Sequence, residues 1–307
     1  MTAATKKKVD IQREAICLSV NLGMVRSRKR INSDDIESDA DRSLLHVSKE
    51  IFESKDLQAI SAMHGAIHTY LKSRCLPSPF KHGVYLIRLS LVTEVMEELD
   101  QYEKKISDLI EAFLEFYGKI YVQRHDQKSE MRTRLGSLYN PGDYPAPATL
   151  KSAFKFETQL WEIGTPGALS TVSRALYERE KRKMDNVWEQ AKEQITQVLM
   201  TELRDMTSRL TERLTPNEDG TKKVFRDSLI GNLQEWLDVF KRRALTDDQE
   251  LIDVVEKARQ LIAGVDAKTL RTDEESRKDL SGAMGKLTTA LEQSIIEKPA
   301  RKIDLDD

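Results

Sequence analysis

Residues Val92–Ile120 read VTEVMEELDQYEKKISDLIEAFLEFYGKI. Within them Val95, Leu99, Tyr102, Ile106, Leu109, Phe113, Phe116 and Ile120 recur at alternating spacings of four and three. That is a heptad seam, because a repeat of 3.5 residues returns side chains to one stripe of a helix. The spacing predicts a helix of about 35 residues, roughly 50 Å long at 1.5 Å per residue. Ile110, Leu114 and Tyr117 widen the stripe, so this face packs on more than one neighbour.

A second long helix is expected after residue 164. Thr165 is read as its N-cap and Pro166 as its first turn. Its apolar positions are Leu169, Val172, Leu176, Met184, Trp188, Ala191, Ile195, Leu199, Leu203, Met206, Leu210 and Leu214. Residues Tyr177–Lys183 contain no aliphatic residue, so that stretch is expected to be solvated. Pro216–Gly220 ends the helix. Three shorter amphipathic helices follow, near 222–243, 247–263 (with Thr246 as cap) and 274–296. Period-two runs near 15–21, 84–89 and 154–163 read as strands.

The fold expected is therefore mainly α: long antiparallel, coiled-coil-like helices, a small β-sheet and shorter C-terminal helices. Asn140–Pro147 is a turn-rich break. It divides the chain into an N-terminal half (1–150) with two strands and the first long helix, and a second part (151–297) with a strand, the second long helix and three more. The tail 298–307 is expected to be disordered.

Composition agrees with helices that have solvated outer faces. Of 307 residues 39% are hydrophobic, too many for a disordered chain, and 33% are charged. Lys and Arg (49) almost cancel Asp and Glu (51), so electrostatic recognition must come from local patches. The opening Met1–Lys8 lacks a secretory pattern, and no apolar run approaches the roughly 20 residues that cross a bilayer. Cys17 and Cys75 are read as reduced thiols, and the chain as cytoplasmic without membrane contact.

The search for chemistry finds no Gly-rich phosphate loop and no D-x-S-x-S metal-adhesion motif; Asp41-Arg42-Ser43 runs into Leu44-Leu45. His64 and His68 have metal-ligand spacing on a helix, but Gly65 stands where a zincin has Glu, and His64 shares the apolar face. Arg124-His125-Asp126 is read as solvated, and neither cysteine has a neighbouring His. The expectation is a non-enzymatic chain with no cofactor and no metal. Three basic clusters remain: Arg26, Arg28, Lys29 and Arg30, with Lys6–Lys8 nearby in sequence; Arg179, Lys181, Arg182 and Lys183; and Lys241–Arg243. The first is the best candidate for contact with nucleic acid or an acidic partner, because few acids interrupt it. The second, interleaved with Glu178 and Glu180, is a secondary patch.

The order of segments resembles a bacterial and phage family, domain of unknown function 3150, from about residue 16 to 262. The pieces that carry the resemblance are ICLSVNLGMVRSRKRINSDDI (16–36), SKEIFESKDL (48–57), RCLPSPFKHGVYLI (74–87), and the Tyr144-Pro145 break before FKFETQLWEIGTP (154–166). Where the family has Trp-Ser-Gly before its basic run, this chain has Gly23-Met24-Val25-Arg26-Ser27. Genes of that family often neighbour a MoxR/CobS-like AAA+ ATPase and a von Willebrand A or CobT-like protein, many in phages and mobile elements. The resemblance implies a non-catalytic adaptor or substrate-recognition component of such an ATPase system. Two other readings stand beside it: a nucleic-acid-binding protein of phage DNA metabolism using Arg26–Arg30, and a coiled-coil scaffold that self-associates as a homo-oligomer.

Overall fold

The computed structural model describes residues 11–32, 35–37, 39–52, 54–125 and 130–297. Helix predominates. In chain order the helices are α1 (Ile11–Glu14), α2 (Gln58–Arg74), α3 (Val92–His125), α4 (Glu130–Leu135), α5 (Pro147–Lys151), α6 (Leu169–Val172), α7 (Arg174–Leu214), α8 (Ser228–Arg243), α9 (Gln249–Ile262), α10 (Thr269–Thr272) and α11 (Glu274–Glu297). The strands are β1 (Ala15–Gly23), β2 (Arg28–Arg30), β3 (Ser48–Glu50), β4 (Leu76–Pro77), β5 (Val84–Arg88) and β6 (Lys155–Trp161). They form a sheet of order β4-β5-β1-β6 and a separate β2-β3 ribbon. The chain divides into two compact units built from interleaved segments: Met1–Ser19, Leu71–Thr93 and Leu160–Asp307 in the first, Val20–Tyr70 and Glu94–Gln159 in the second.

In the first unit the 41 residues of α7 are the longest element. Trp188, Ala191, Ile195, Leu199, Leu203, Leu210 and Leu214 are its buried apolar stripe. No residue from Arg174 to Val187 is buried, a stretch that contains the aliphatic-free run Tyr177–Lys183. Helix α11 runs antiparallel to α7: Thr288 Oγ1 donates to Thr207 Oγ1 at 2.9 Å, and about two turns further along α7 Arg277 Nε donates to Leu214 O at 2.8 Å. The buried Arg277 also donates to Arg213 O and Lys223 O. A cation thus satisfies carbonyls that the end of α7 leaves without helical partners. Two caps differ from expectation. Ser173, not Thr165, caps α7, accepting from Leu176 N, because the chain first makes the short α6. Asp248, not Thr246, caps α9; the Thr246 hydroxyl is instead hydrogen-bonded to that of Thr196 in the core. The sheet enters this unit through the first half of β1, where Ala15 lies opposite Arg88 and Ser19 opposite Val84.

The second unit is organised by α3. Phe113 and Tyr117 join Val25, Ile51, Phe52, Leu57, Ile60, Tyr144, Leu150 and Phe154 in its core. The rings meet edge to face, Phe52 on Phe113 at 5.7 Å and on Tyr117 at 5.1 Å, and Phe113 on Phe154 at 5.7 Å, the arrangement their quadrupoles favour. Here the heptad reading needs correction. After Phe113 the seam expects Phe116, yet Phe116 is 46% exposed and Tyr117 is buried. A straight helix repeats every 3.6 residues and drifts about 20° per heptad, which carries the core-facing stripe onto Tyr117. The β2-β3 ribbon is also new: its residues are charged or polar, with only Lys49 buried, and no hydrophobic period marks it. The Asn140–Pro147 turn lies within this unit, and the tail 298–307 lies outside the described residues.

Candidate functional site

The site begins where β1 ends. A Cβ on Gly23 would stand 2.9 Å from Lys155 Cβ and 3.0 Å from Ala153 O, so only glycine lets the chain pass the start of β6 so closely. The turn that follows is pinned from inside. Ser27 O accepts from Ile51 N at 2.7 Å and from Phe52 N at 3.2 Å, and Val25 is buried. Met24, Arg26 and Arg28 are left exposed. The start of α2 faces them, held by the buried Leu57 and Ile60.

Between the two lies a groove of about 950 Å³. Met24, Arg26 and Arg28 form one wall, and Lys55, Gln58, Ser61 and Ala62 the other, over Val25 and Leu57. The two walls together carry three cations, Arg26, Arg28 and Lys55. The Arg28 pairing is loose: its Nη2 lies 3.9 Å from Glu50 Oε1, and both side chains are about half in solvent, where such a pair is worth little. Met24, 37% exposed, adds an apolar surface beside the charges. The arrangement presents positive charge next to a hydrophobic floor.

Strand alternation separates the four basic residues of the sequence reading. Arg28 faces the groove. Lys29 points the other way and pairs with Asp143, whose second oxygen accepts from the buried Lys49 at 2.6 Å. Lys49 also donates to Leu138 O. Burial pushes the Asp143 carboxyl up, but hydrogen bonds from Lys29 and Lys49 and their charges outweigh it and hold the carboxyl below its usual range. Lys29 is therefore a fastener of the ribbon rather than part of the groove. Arg30 lies 3.2 Å from His46 Nδ1.

The other clusters have different fates. Arg179, Lys181, Arg182 and Lys183 are exposed in the first unit, on the part of α7 without core contact. Glu180 accepts from Arg179 at 3.0 Å and lies 3.6 Å from Lys183. The hydrogen bond from Arg179 is the main cause that holds its carboxyl below the ordinary value. This patch is partly neutralised from within. Of Lys241–Arg243, Arg243 is buried: it pairs with Glu202, donates to Lys72 O at 2.7 Å and stacks 5.6 Å over Trp236. It holds α8 in place. Lys6–Lys8 and Asp126 lie outside the described residues.

His64 Nε2 is buried without a hydrogen-bond partner among the described residues, and burial, then the charge of His68, pushes the imidazole below its ordinary value. No group of three or more His, Cys, Asp or Glu is placed to hold a metal among the described residues. Both thiols are buried and free. Burial pushes Cys17 up to about 11, against a hydrogen bond with Ser78, and Cys75 up to about 12, against Arg243 and Arg74. At neutral pH neither is a thiolate. No described helix is long and apolar enough to cross a membrane.

Sequence reasoning missed Lys55, Gln58 and Met24 as groove residues. Lys55 stands in the SKDL helix start, but nothing local shows that this start faces the turn after β1. Comparisons with family models, with curated proteins and with solved structures found no match.

Proposed function

We propose that this chain is a non-catalytic adaptor that binds a partner protein through the groove between Met24–Arg28 and Lys55–Ala62. The observation that carries the reading is the pairing of three cations, Arg26, Arg28 and Lys55, with the apolar Met24, Val25, Leu57 and Ala62 in one open groove. That mixture suits an acidic segment of a protein with apolar side chains of its own. It suits nucleic acid less well, since the groove's described lining has no aromatic ring on which a base would stack. Lys29, one of the four cations that the nucleic-acid reading needs, is also engaged by Asp143.

The resemblance to the domain of unknown function 3150 family supplies the partner. The chain acts in the cytoplasm of a bacterial host, in a system of phage or mobile-element origin, as the recognition component of a MoxR-type AAA+ ATPase with its von Willebrand A protein. The test is capture with tagged full-length chain from host lysate, with and without nuclease, in the native form and as Arg26→Glu/Arg28→Glu. The expected result is recovery of the AAA+ ATPase in both lysates by the native chain and its loss with the variant. Partners that disappear after nuclease treatment would instead establish nucleic-acid binding and end the adaptor reading.

A second reading has its own observation. Phe116 lies on the heptad seam of α3 and is 46% exposed, which supports a coiled-coil contact with a second copy of the chain. Its mark is a solution mass that rises with concentration in the native chain and stays monomeric in Phe116→Asp.

A further inference from the structure

The ribbon beside the groove has a phase that its register and hydrogen bonds determine. Arg28 lies opposite Glu50, Lys29 opposite Lys49 and Arg30 opposite Ser48. Just beyond the strands, Ile51 N donates to Ser27 O and Ile31 N to Val47 O. In an antiparallel ladder, bonded and non-bonded pairs alternate. The bonded pairs are therefore 27/51, 29/49 and 31/47. Arg28 and Arg30 fall in the non-bonded pairs and direct their N–H and C=O groups away from β3. The ribbon has two strands, so no strand of this chain covers that edge among the described residues.

An uncovered edge that continues from a groove wall is a template for another strand. We infer that the outer edge of β2 receives an extended acidic segment of the partner protein, which adds to the ribbon as a third strand and whose flanking residues enter the groove. The inference rests on the reading of the groove as the partner site and specifies what occupies it. Two residues with outward N–H and C=O provide up to four main-chain hydrogen bonds. Side chains of the added strand at positions i and i+2 share the face of Arg28 and Arg30. Carboxylates at both positions meet the two guanidinium groups, and the residue between them faces the side where Asp143 holds Lys29 and Lys49. The recognised pattern is acid-x-acid, with x uncharged, next to an apolar residue for Met24 and Leu57. The same cations repel basic edges, so the edge selects its partner by charge as well as by backbone.

The test measures binding of a labelled peptide of alternating Glu and Val to the full-length chain by fluorescence anisotropy. A second peptide of the same sequence carries N-methyl groups on its Glu amides, which removes main-chain donors and keeps every charge. Strand addition predicts at least about a tenfold weakening by N-methylation, and a similar weakening by Arg28→Glu. Because Arg28 is exposed, the variant should keep the native circular dichroism; the N-methylated peptide decides the matter even if it does not. Equal binding of the two peptides would overturn the inference, because charge alone would then account for it. So would tighter binding of an oligo-dT of equal charge. Capture of the AAA+ ATPase that survives Arg28→Glu sinks this inference and leaves the adaptor reading intact. Amide-dependent peptide binding without ATPase capture does the reverse.

Discussion

Asp143 shows how much one residue can hold. Its two oxygens join Lys29 and Lys49, and through them tie the β2-β3 ribbon to the turn at Asn140–Pro147. Asp143→Asn leaves the Lys49 ammonium buried, still donating to Leu138 O but without its carboxylate partner. The expected loss is on the order of 3 kcal/mol, read from urea midpoints at neutral pH. The same carboxyl makes stability depend on pH. Its folded value lies below the ordinary 3.8, so its contribution is complete above about pH 4 and disappears as the pH falls through the folded value. The native chain should therefore lose stability between about pH 4 and pH 2 more steeply than Asp143→Asn does. A variant with the same acid slope as the native chain would show that the pairing contributes nothing.

At the scale of elements, α3 offers two adjacent aromatic residues with opposite fates. Tyr117 is buried against Phe52, and its hydroxyl donates to Pro145 O at 2.9 Å; Phe116 faces solvent. Tyr117→Ala should cost about 3–5 kcal/mol through the cavity and the lost hydrogen bond. Phe116→Ala should change stability by less than about 0.5 kcal/mol at a protein concentration where the chain is monomeric. Thermal melts of the two variants decide between a 3.6-residue stripe and a strict heptad. A larger cost for Phe116→Ala than for Tyr117→Ala would mean that the heptad seam is the packed face. The helix itself was readable from sequence: 34 residues from Val92 to His125, against an expected 35 or so. Its rotation at the C-terminal end was not. Phe116 and Tyr117 are both aromatic, and it is distant residues, Phe52 against the ring and Pro145 O at the hydroxyl, that select Tyr117.

For the whole molecule, the interleaving of segments has a direct consequence. The second unit takes Leu150, Phe154 and the first five residues of β6 (155–159) from beyond the long helix α3. A fragment ending at residue 150 lacks Phe154, which packs 5.7 Å from Phe113, and lacks β6 altogether. It should show no cooperative thermal transition by circular dichroism, whereas a chain ending at residue 297 should melt cooperatively. Sharp melting of the short fragment would show that Phe154 and β6 are dispensable to that core.

The sequence by itself determined the long helices α3, α7 and α11, the strands β1, β5 and β6, and the turns that separate them. Those features are written in local periodicity, and a stripe at 3.6 residues or an alternation at two needs no knowledge of its partner. Tertiary structure decided the rest. It made a ribbon from Arg28–Arg30 and Ser48–Glu50, whose charged residues carry no hydrophobic pattern. It sent Lys29 to Asp143, 114 residues away in sequence, and left Arg26 and Arg28 beside Lys55. Four neighbouring cations look alike in a sequence; they differ once alternation along a strand aims each at a different distant neighbour. A carboxylate opposite a lysine neutralises it, while open solvent leaves an arginine available for a partner.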